Sequence, residues 1–494
     1  MLITTQRLSR SAAIALMTLV LLPLPSHAAL RFTGVNLSGA EFGAVPTPGN
    51  LGVYGTAYTY PTANEVNYYM GKGMNTFRLP FRWERMQSTQ FAPLIAVELS
   101  RMDAFVNYAT AQGATVIVEP HNFQRYYPDP GNFQQSAQGL VGSAVPDAAL
   151  VDFWTKLAGH YKDNGRVIFN LMNEPTTLPT EQLVTTTNQV VAGIRSTGAT
   201  NIIHVPGNAY TGAHSWTQNW YGTANSVAML NVVDPAKNIV FEAHQYFDYN
   251  SSGSAAAGDS NPQIGTTGNP NSTNIGVERL TGFTNWLRTN NLRGFLGEFA
   301  LPNARFGTGS TGTGNPVNQS RIADETLAAT LDYIAANDDV WEGWAWWGGG
   351  PWWNSGSYMF GLGPSSNNYI NPASADEAAA LPYLIPYLAP DPVDIAGDFN
   401  QDEIVNGDDL LLWRMSLGRT GLHLAADGDD DGDVDGNDFL VWQRTLGMTT
   451  PTTPATSQVP EPAPMIVVAV ATMWLASAKP VFRRGFQGHR PRLQ

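Results

Sequence analysis

From residue 31 onward the chain alternates short apolar runs with longer stretches whose apolar residues recur every three or four positions. The short runs predict strands at 32–37, 75–80, 115–119, 167–172, 202–205, 239–243, 294–297 and 343–347. The amphipathic stretches predict helices at 64–72, 97–112, 148–162, 181–196, 278–289 and 321–336, with a weak one near 224–230. Strands separated by helical patterns imply βαβ units and a parallel sheet. Eight such units fit an α/β fold of the (β/α)8 TIM-barrel type, with extended loops, over residues 30–390. An open doubly wound sheet fits less well. It usually carries a glycine-rich phosphate loop after its first strand, and Leu37-Ser38-Gly39-Ala40 is not one.

In a barrel the chemistry belongs at the C-terminal ends of the strands. Read in order, those ends are Phe77-Arg78-Leu79-Pro80, Glu119-Pro120-His121-Asn122, Met172-Asn173-Glu174-Pro175, Glu242-Ala243-His244-Gln245-Tyr246, Gly297-Glu298-Phe299 and Trp344-Ala345-Trp346-Trp347. A single strand-end glutamate is often only a rim salt-bridge partner, and a single histidine is more often structural than catalytic. The coincidence of two carboxylates with Arg, His, Tyr and Trp carries the weight. Such a set suits hydrolysis of a glycosidic bond, in which one carboxyl donates a proton and the other, ionised, attacks or activates water. Their environments must hold the two protonation states apart, and an arginine beside one of them favours its charged form. Asn173 is placed to bond a sugar hydroxyl, and Trp347 offers a flat face to the apolar side of a ring. Zinc held by His121, His244 and a glutamate is the rival chemistry, without a closely spaced His-Glu-x-x-His pair to support it.

Composition narrows the classes. With 43% hydrophobic and 11% aromatic residues, the 494-residue chain can bury large cores and is unlike a disordered one. A formal charge of −14 leaves no basic surface for nucleic acid. The absence of cysteine removes disulfides, thiolate catalysis and Cys-zinc sites together. Trp216, Trp220, Trp352, Trp353, Tyr126 and Tyr127 fall in long predicted loops, where exposed rings would stack on sugars; Trp216 and Trp352 are taken as substrate-binding candidates.

Gly34-Val35-Asn36-Leu37, Phe77-Arg78-Leu79-Pro80, His121-Asn122, Asn173-Glu174-Pro175, His244-Gln245-Tyr246 and Gly297-Glu298 together resemble glycoside hydrolase family 5, from about residue 34 to 388. Pro206-Gly207-Asn208 and Gly343-Trp344-Ala345-Trp346-Trp347-Gly348 are similar to segments of the fungal family 5 cellulases. The resemblance implies a (β/α)8 barrel acting as a retaining endo-β-1,4-glucanase, with no cofactor for catalysis and a β-glucan polysaccharide as substrate. It makes Glu174 the acid/base and Glu298 the nucleophile, supported by Arg78, His121, Asn122, Asn173, His244, Tyr246 and Trp347. Mannan, xyloglucan or β-1,3-glucan are alternative substrates within the family, and a catalytically silent surface carbohydrate-binding protein is an alternative of another class. The disulfides and cellulose-binding module of the fungal relatives have no counterpart here.

A small acidic region follows, expected at 396–447. Between residues 398 and 438 lie 12 acidic side chains against 2 arginines. Asp398, Asn400, Asp402, Asn406 and Asp409 occupy positions 1, 3, 5, 9 and 12 of a loop, and Asp427, Asp429, Asp431, Asp435 and Asp438 repeat the pattern 29 residues later. Trp413 and Leu417-Gly418 recur at Trp442 and Leu446-Gly447. Oxygen ligands at these positions are those of an EF-hand calcium loop, with Asp in the last place. The duplicated loop-helix unit resembles a type I dockerin, which implies structural Ca2+ and a cohesin-like partner. Gly407-Asp408, Gly436-Asn437 and Glu403 depart from that pattern, so a self-contained spacer is an equal reading.

The two ends read as addresses. Arg7 and Arg10, an apolar run over 12–24 and Ser26-His27-Ala28 make a secretory signal peptide over 1–28. After a Thr/Pro linker at 448–458, residues 459–494 open with Val459-Pro460-Glu461-Pro462-Ala463, continue with an apolar run over 465–478 and close with Arg483-Arg484. That run spans about 21 Å as a helix, short of the roughly 30 Å hydrocarbon core. The order resembles a PEP-CTERM sorting tail, which implies handling by export and sorting machinery and a location outside a Gram-negative cell, secreted or on its outer surface.

Overall fold

The computed structural model describes residues 30–449 except 48, 249, 254–264, 267–268, 271, 307–315, 389–394, 401–403, 420–425 and 430–432. The expected signal peptide, the linker beyond residue 449 and the sorting tail, together with Asp402 and Asp431, lie outside these residues.

Eight strands close into a parallel barrel. They are β1 (Phe32–Leu37), β2 (Thr76–Phe81), β3 (Thr115–Pro120), β4 (Val167–Asn170), β5 (Ile203–Pro206), β6 (Ile239–His244), β7 (Gly294–Phe299) and β8 (Trp341–Gly349). Each pairs with its sequence neighbour, and β8 pairs with β1 to complete the ring. The outer helices are α1 (Ala63–Met70), α2 (Ala96–Ala111), α3 (Asp147–Tyr161), α4 (Thr180–Ser196), α5 (Asn225–Ala228), α6 (Ile275–Thr289) and α7 (Pro316–Ala335). A turn at Leu381–Leu384 ends the barrel.

Local chemistry explains the elements. Thr62 and Glu65 form a reciprocal capping box that starts α1. Along α4, Leu183, Val184, Thr187, Val190, Val191 and Ile194 repeat at helical spacing and are buried against the barrel. Side chains alternate across each strand. Phe32, Ile117, Ile168, Val240, Phe295 and Ala345 form one apolar cluster. Two or four residues further along the same faces come Asn36, Glu119, Asn170, Glu242 and Trp347. The barrel interior therefore has an apolar lower layer beneath a polar upper one.

Two further helices, α8 (Gly407–Ser416) and α9 (Gly436–Thr445), form a module with its own core of Ile395, Phe399, Val405, Leu412, Ala426, Val434 and Trp442. Its halves exchange equivalent bonds. Trp413 Nε1 donates to Asp435 O at 2.8 Å and Trp442 Nε1 to Asn406 O at 2.7 Å. Gly418 N donates to Val434 O and Gly447 N to Val405 O, both at 2.8 Å. The repeat in sequence is thus a local two-fold in space. Barrel and module fall within one compact unit.

Candidate active site

The polar layer is organised around Arg78, fully buried on β2. Its Nη1 donates to Asn36 Oδ1 at 2.8 Å and Glu298 Oε1 at 3.0 Å. Its Nη2 donates to Asn173 Oδ1 at 2.9 Å and Glu242 Oε1 at 3.2 Å, and Glu119 Oε2 lies 3.4 Å from Nη1. Asn36 is fixed in turn by the carbonyls of Gly297, Ala345 and Trp346. Burial disfavours the Arg78 charge, but the carboxylates of Glu119, Glu242 and Glu298 more than compensate and hold it protonated.

Glu298 stands at the end of β7, opposite His244 on β6, where the register between the strands shifts. Its Oε2 accepts from Tyr246 Oη at 2.9 Å, and His244 Nδ1 is 3.6 Å away. Burial raises its carboxyl, while His244 and Arg78 oppose that shift. Glu174 follows β4 with a φ of 40°, in the left-handed region that non-glycine residues rarely adopt. That turn aims its carboxylate at His244, whose Nδ1 is 2.9 Å from Glu174 Oε1. Single carboxylate oxygens of Glu174 and Glu298 lie within 4.8 Å of one another and of a His244 ring nitrogen.

Two histidines have opposite charge states. For His244, burial lowers the pKa, but Glu298, Glu174 and Glu242 raise it to about 10. Both ring nitrogens then carry protons, one for Glu174 and one for Glu242 Oε1 at 3.0 Å. With Nδ1 facing Glu174 and Nε2 facing Glu242, both His244 ring nitrogens are already engaged by carboxylates, which weighs against the zinc reading although Glu174, His244 and Glu298 are clustered. Burial drives His121 well below its usual value, with Arg82 and Arg78 adding to the effect against Glu298. Neutral His121 donates from Nδ1 to Glu119 Oε2 at 3.1 Å and accepts at Nε2 from Asn173 Nδ2 at 3.2 Å. It stacks on Trp347, with ring centroids 5.5 Å apart and planes 11° apart.

The structure thus brings Arg78, His121, Asn173, Glu174, His244, Tyr246, Glu298 and Trp347 together. Two candidates require correction. Trp216 is fully buried, with Phe283 at 4.6 Å and Trp286 at 5.1 Å between centroids, so it packs the barrel wall and presents no face to a sugar. Asn122 is also buried, its amide bound to both Glu84 oxygens and its Oδ1 accepting from Trp83 N, so it fixes the loop after β2. Tyr126 is a second buried ring, donating to Gln87 O. Trp352 fares better: with Trp353, Trp347, His121, Phe42 and Glu41 it lines an open cavity of about 520 Å³.

Sequence reasoning passed over Glu119 and Glu242. Burial pushes Glu119 up to about 7, whereas Arg78, His204 and His244 overcome burial and hold Glu242 well below the usual carboxylate range. The signal was there: each precedes a site histidine by two residues and so shares its inward face. Gly297 makes room for this layer, since a Cβ there would sit 2.5 Å from the Glu242 carboxyl carbon.

In the module, Asp409 and Asp438 close the two loops in the same way. Asp409 accepts from Asn400 N at 3.0 Å and Asn406 N at 2.7 Å; Asp438 accepts from Gly428 N at 2.7 Å and Asp435 N at 2.6 Å. Carboxylate oxygens of Asp427, Asp429 and Asp438 gather within 4.8 Å of one another, as do those of Asp433, Asp435 and Asp438. An all-oxygen donor set of this kind fits a hard cation such as Ca2+.

Residues 33–350 match the cellulase family, glycosyl hydrolase family 5. A probable endo-beta-1,4-glucanase B of Aspergillus niger is 36% identical over 333 residues, 67% of this chain and 84% of that relative. An endo-beta-1,4-glucanase from Xanthomonas axonopodis pv. citri aligns with a TM-score of 0.60 at 38% identity, covering 73% of this chain and 98% of that one. A structure of XacCel5A in complex with cellopentaose aligns with the same score and identity over 72% of this chain and 99% of that one.

Proposed function

This chain belongs to glycosyl hydrolase family 5, and from that premise we propose that it hydrolyses internal β-1,4-glucosidic bonds by a retaining double displacement. The observation that carries the stereochemistry is the approach of Glu174 and Glu298 oxygens to within 4.8 Å. Retaining pairs sit about 5–5.5 Å apart, whereas inverting pairs need roughly 6.5–9.5 Å to admit a water.

The roles follow from the donors around each carboxylate. Glu298 receives Arg78 and Tyr246, which favour its ionised form against the burial that raises its carboxyl. It attacks the anomeric carbon and forms the glycosyl-enzyme bond as the glycosidic C–O bond breaks. Glu174, the more exposed of the two, hands its proton to the leaving oxygen. Its carboxylate then takes a proton from the water that cleaves the ester, which restores both groups. Glu242 and Glu119 position His244 and His121 beneath the sugar, and Trp347 with Trp352 and Trp353 supplies the stacking wall of the cleft.

The substrate reading draws on the endo-β-1,4-glucanase relatives; mannan, xyloglucan and β-1,3-glucan are the competitors. A reducing-sugar assay across these polymers, with the product anomer followed by NMR, tests it. No release from carboxymethylcellulose or barley β-glucan ends the glucanase reading, and an α-anomer as first product ends the retaining one. A polymer that binds but is never cut would leave the carbohydrate-binding alternative.

The acidic module we read as two Ca2+ loops, with Asp398, Asn400, Asn406, Asp409, Asp427, Asp429, Asp435 and Asp438 among the ligands and a cohesin-like protein as the partner the resemblance implies. Export, sorting and a place outside a Gram-negative cell rest on the two terminal patterns. Fractionation of the native host, with N-terminal sequencing of the mature chain, tests both.

A further inference from the structure

The loops at the N-terminal ends of the barrel strands, on the side away from the active site, hold the module. Arg419 follows α8. Its Nε donates to Asp163 Oδ1 at 2.9 Å, its Nη2 reaches the same oxygen, and its Nη1 donates to Gly198 O at 2.7 Å. Asp163 precedes β4 and Gly198 precedes β5. Just before β6, Lys237 pairs with Asp408 at 2.8 Å, and Ala236 is buried within the core of the module itself.

These contacts differ in worth. Lys237 and Asp408 are 65% and 40% exposed, so that pair contributes little. Arg419 is 11% exposed and spans two loops with three donors, so it dominates. The internal two-fold sharpens the point. Positions 408 and 419 correspond to Asn437 and Met448 in the second repeat, which conserve neither charge. The repeats are asymmetric where one of them meets the barrel.

We infer that the repeat module is a brace for the floor of the barrel: Arg419 ties the β4 and β5 entry loops to the module, and Ala236 of the β6 entry loop completes the module's core. The module is thus no free spacer between enzyme and tail. Where the loops bind calcium, as read above, cation occupancy and barrel stability become linked quantities, because the cation orders the module that holds the floor.

The full-length protein tests this by scanning calorimetry. Arg419→Ala should lower the barrel midpoint by about 2–4 °C, while the initial rate at 30 °C on a soluble glucan stays unchanged because the site lies at the opposite end. A barrel midpoint within about 0.5 °C of wild type would overturn the brace. Chelation with EDTA should lower the wild-type barrel midpoint to a similar extent and that of Arg419→Ala much less. Calorimetric titration with CaCl2 separates the two claims. Calcium binding without any effect of EDTA on the barrel midpoint overturns the linkage and keeps the calcium loops. No binding overturns the linkage together with the calcium loops, and the Arg419→Ala midpoint then decides the brace by itself.

Discussion

Removing one hydroxyl from the surroundings of Glu298, the proposed nucleophile, gives a clean test of how the site sets its charge. Tyr246 is buried and donates to Glu298 Oε2 at 2.9 Å, while its ring lies 6.1 Å from that of Phe360. Tyr246→Phe keeps the ring and its packing and deletes only the donor. A hydrogen bond to a charged group contributes about 1.5–3 kcal/mol, which at 1.36 kcal/mol per pH unit is roughly 1–2 units of carboxyl pKa. The sign follows from what the bond favours. The hydroxyl stabilises the ionised form of Glu298, so its loss raises the pKa, and activity that needs the anion disappears at higher pH. The acid limb of kcat/KM on cellopentaose should therefore move up by about 1–2 units, with the alkaline limb much less affected. An acid limb at the wild-type position would refute the argument, because Tyr246 would then contribute nothing to holding the nucleophile ionised.

Other perturbations separate the remaining roles. Glu298→Gln should lower turnover by at least about 10³-fold on every substrate. Glu174→Gln should cost as much on the polymer but far less on a dinitrophenyl cellobioside, whose leaving group needs no proton; equal losses on both would remove Glu174 from the acid role. Trp347→Ala should raise KM for oligosaccharides by about 10–100-fold, the worth of roughly 1.5–3 kcal/mol of buried ring; an unchanged KM would take Trp347 out of the cleft. Burial raises the Glu41 pKa to about 7, with Gly39 N and Arg82 only partly opposing it. A folded-state value above the unfolded one means stability present at pH 4 and lost as pH rises through 7, by about 3 kcal/mol. Glu41→Gln should flatten the fall in Tm between pH 5 and 8, and identical slopes for the two proteins would contradict that.

All eight barrel strands were legible to within two residues or so, because parallel strands buried on both faces read as short continuous apolar runs. Helix starts were less so: α7 begins at Pro316 rather than near 321, since its first turn lacks the apolar period. That Glu174 and Glu298 would meet at one end of the barrel was legible because strand-end position and side-chain type coincide there. Trp216 misled because loop membership says nothing of burial; only the meeting of Phe241, Phe283 and Trp286 hides it. Glu119 and Glu242 were overlooked because an inward carboxylate breaks the apolar rule, and what neutralises it, Arg78, is remote in sequence. The seat of the module was illegible for a related reason. Arg419 and Asp163 are ordinary surface types, and nothing local links positions 256 residues apart.

The crossed tryptophans of the module have one more consequence. Each indole is anchored on the carbonyl of the opposite loop, so neither half can open without cutting a tie that belongs to its twin. On the proposed reading of these loops as Ca2+ sites, the first ion should close both halves and the second should find its cradle already shaped. Uptake should then be steep, with a Hill coefficient approaching two, and Trp413→Phe should reduce that steepness even though the substituted residue holds no ion.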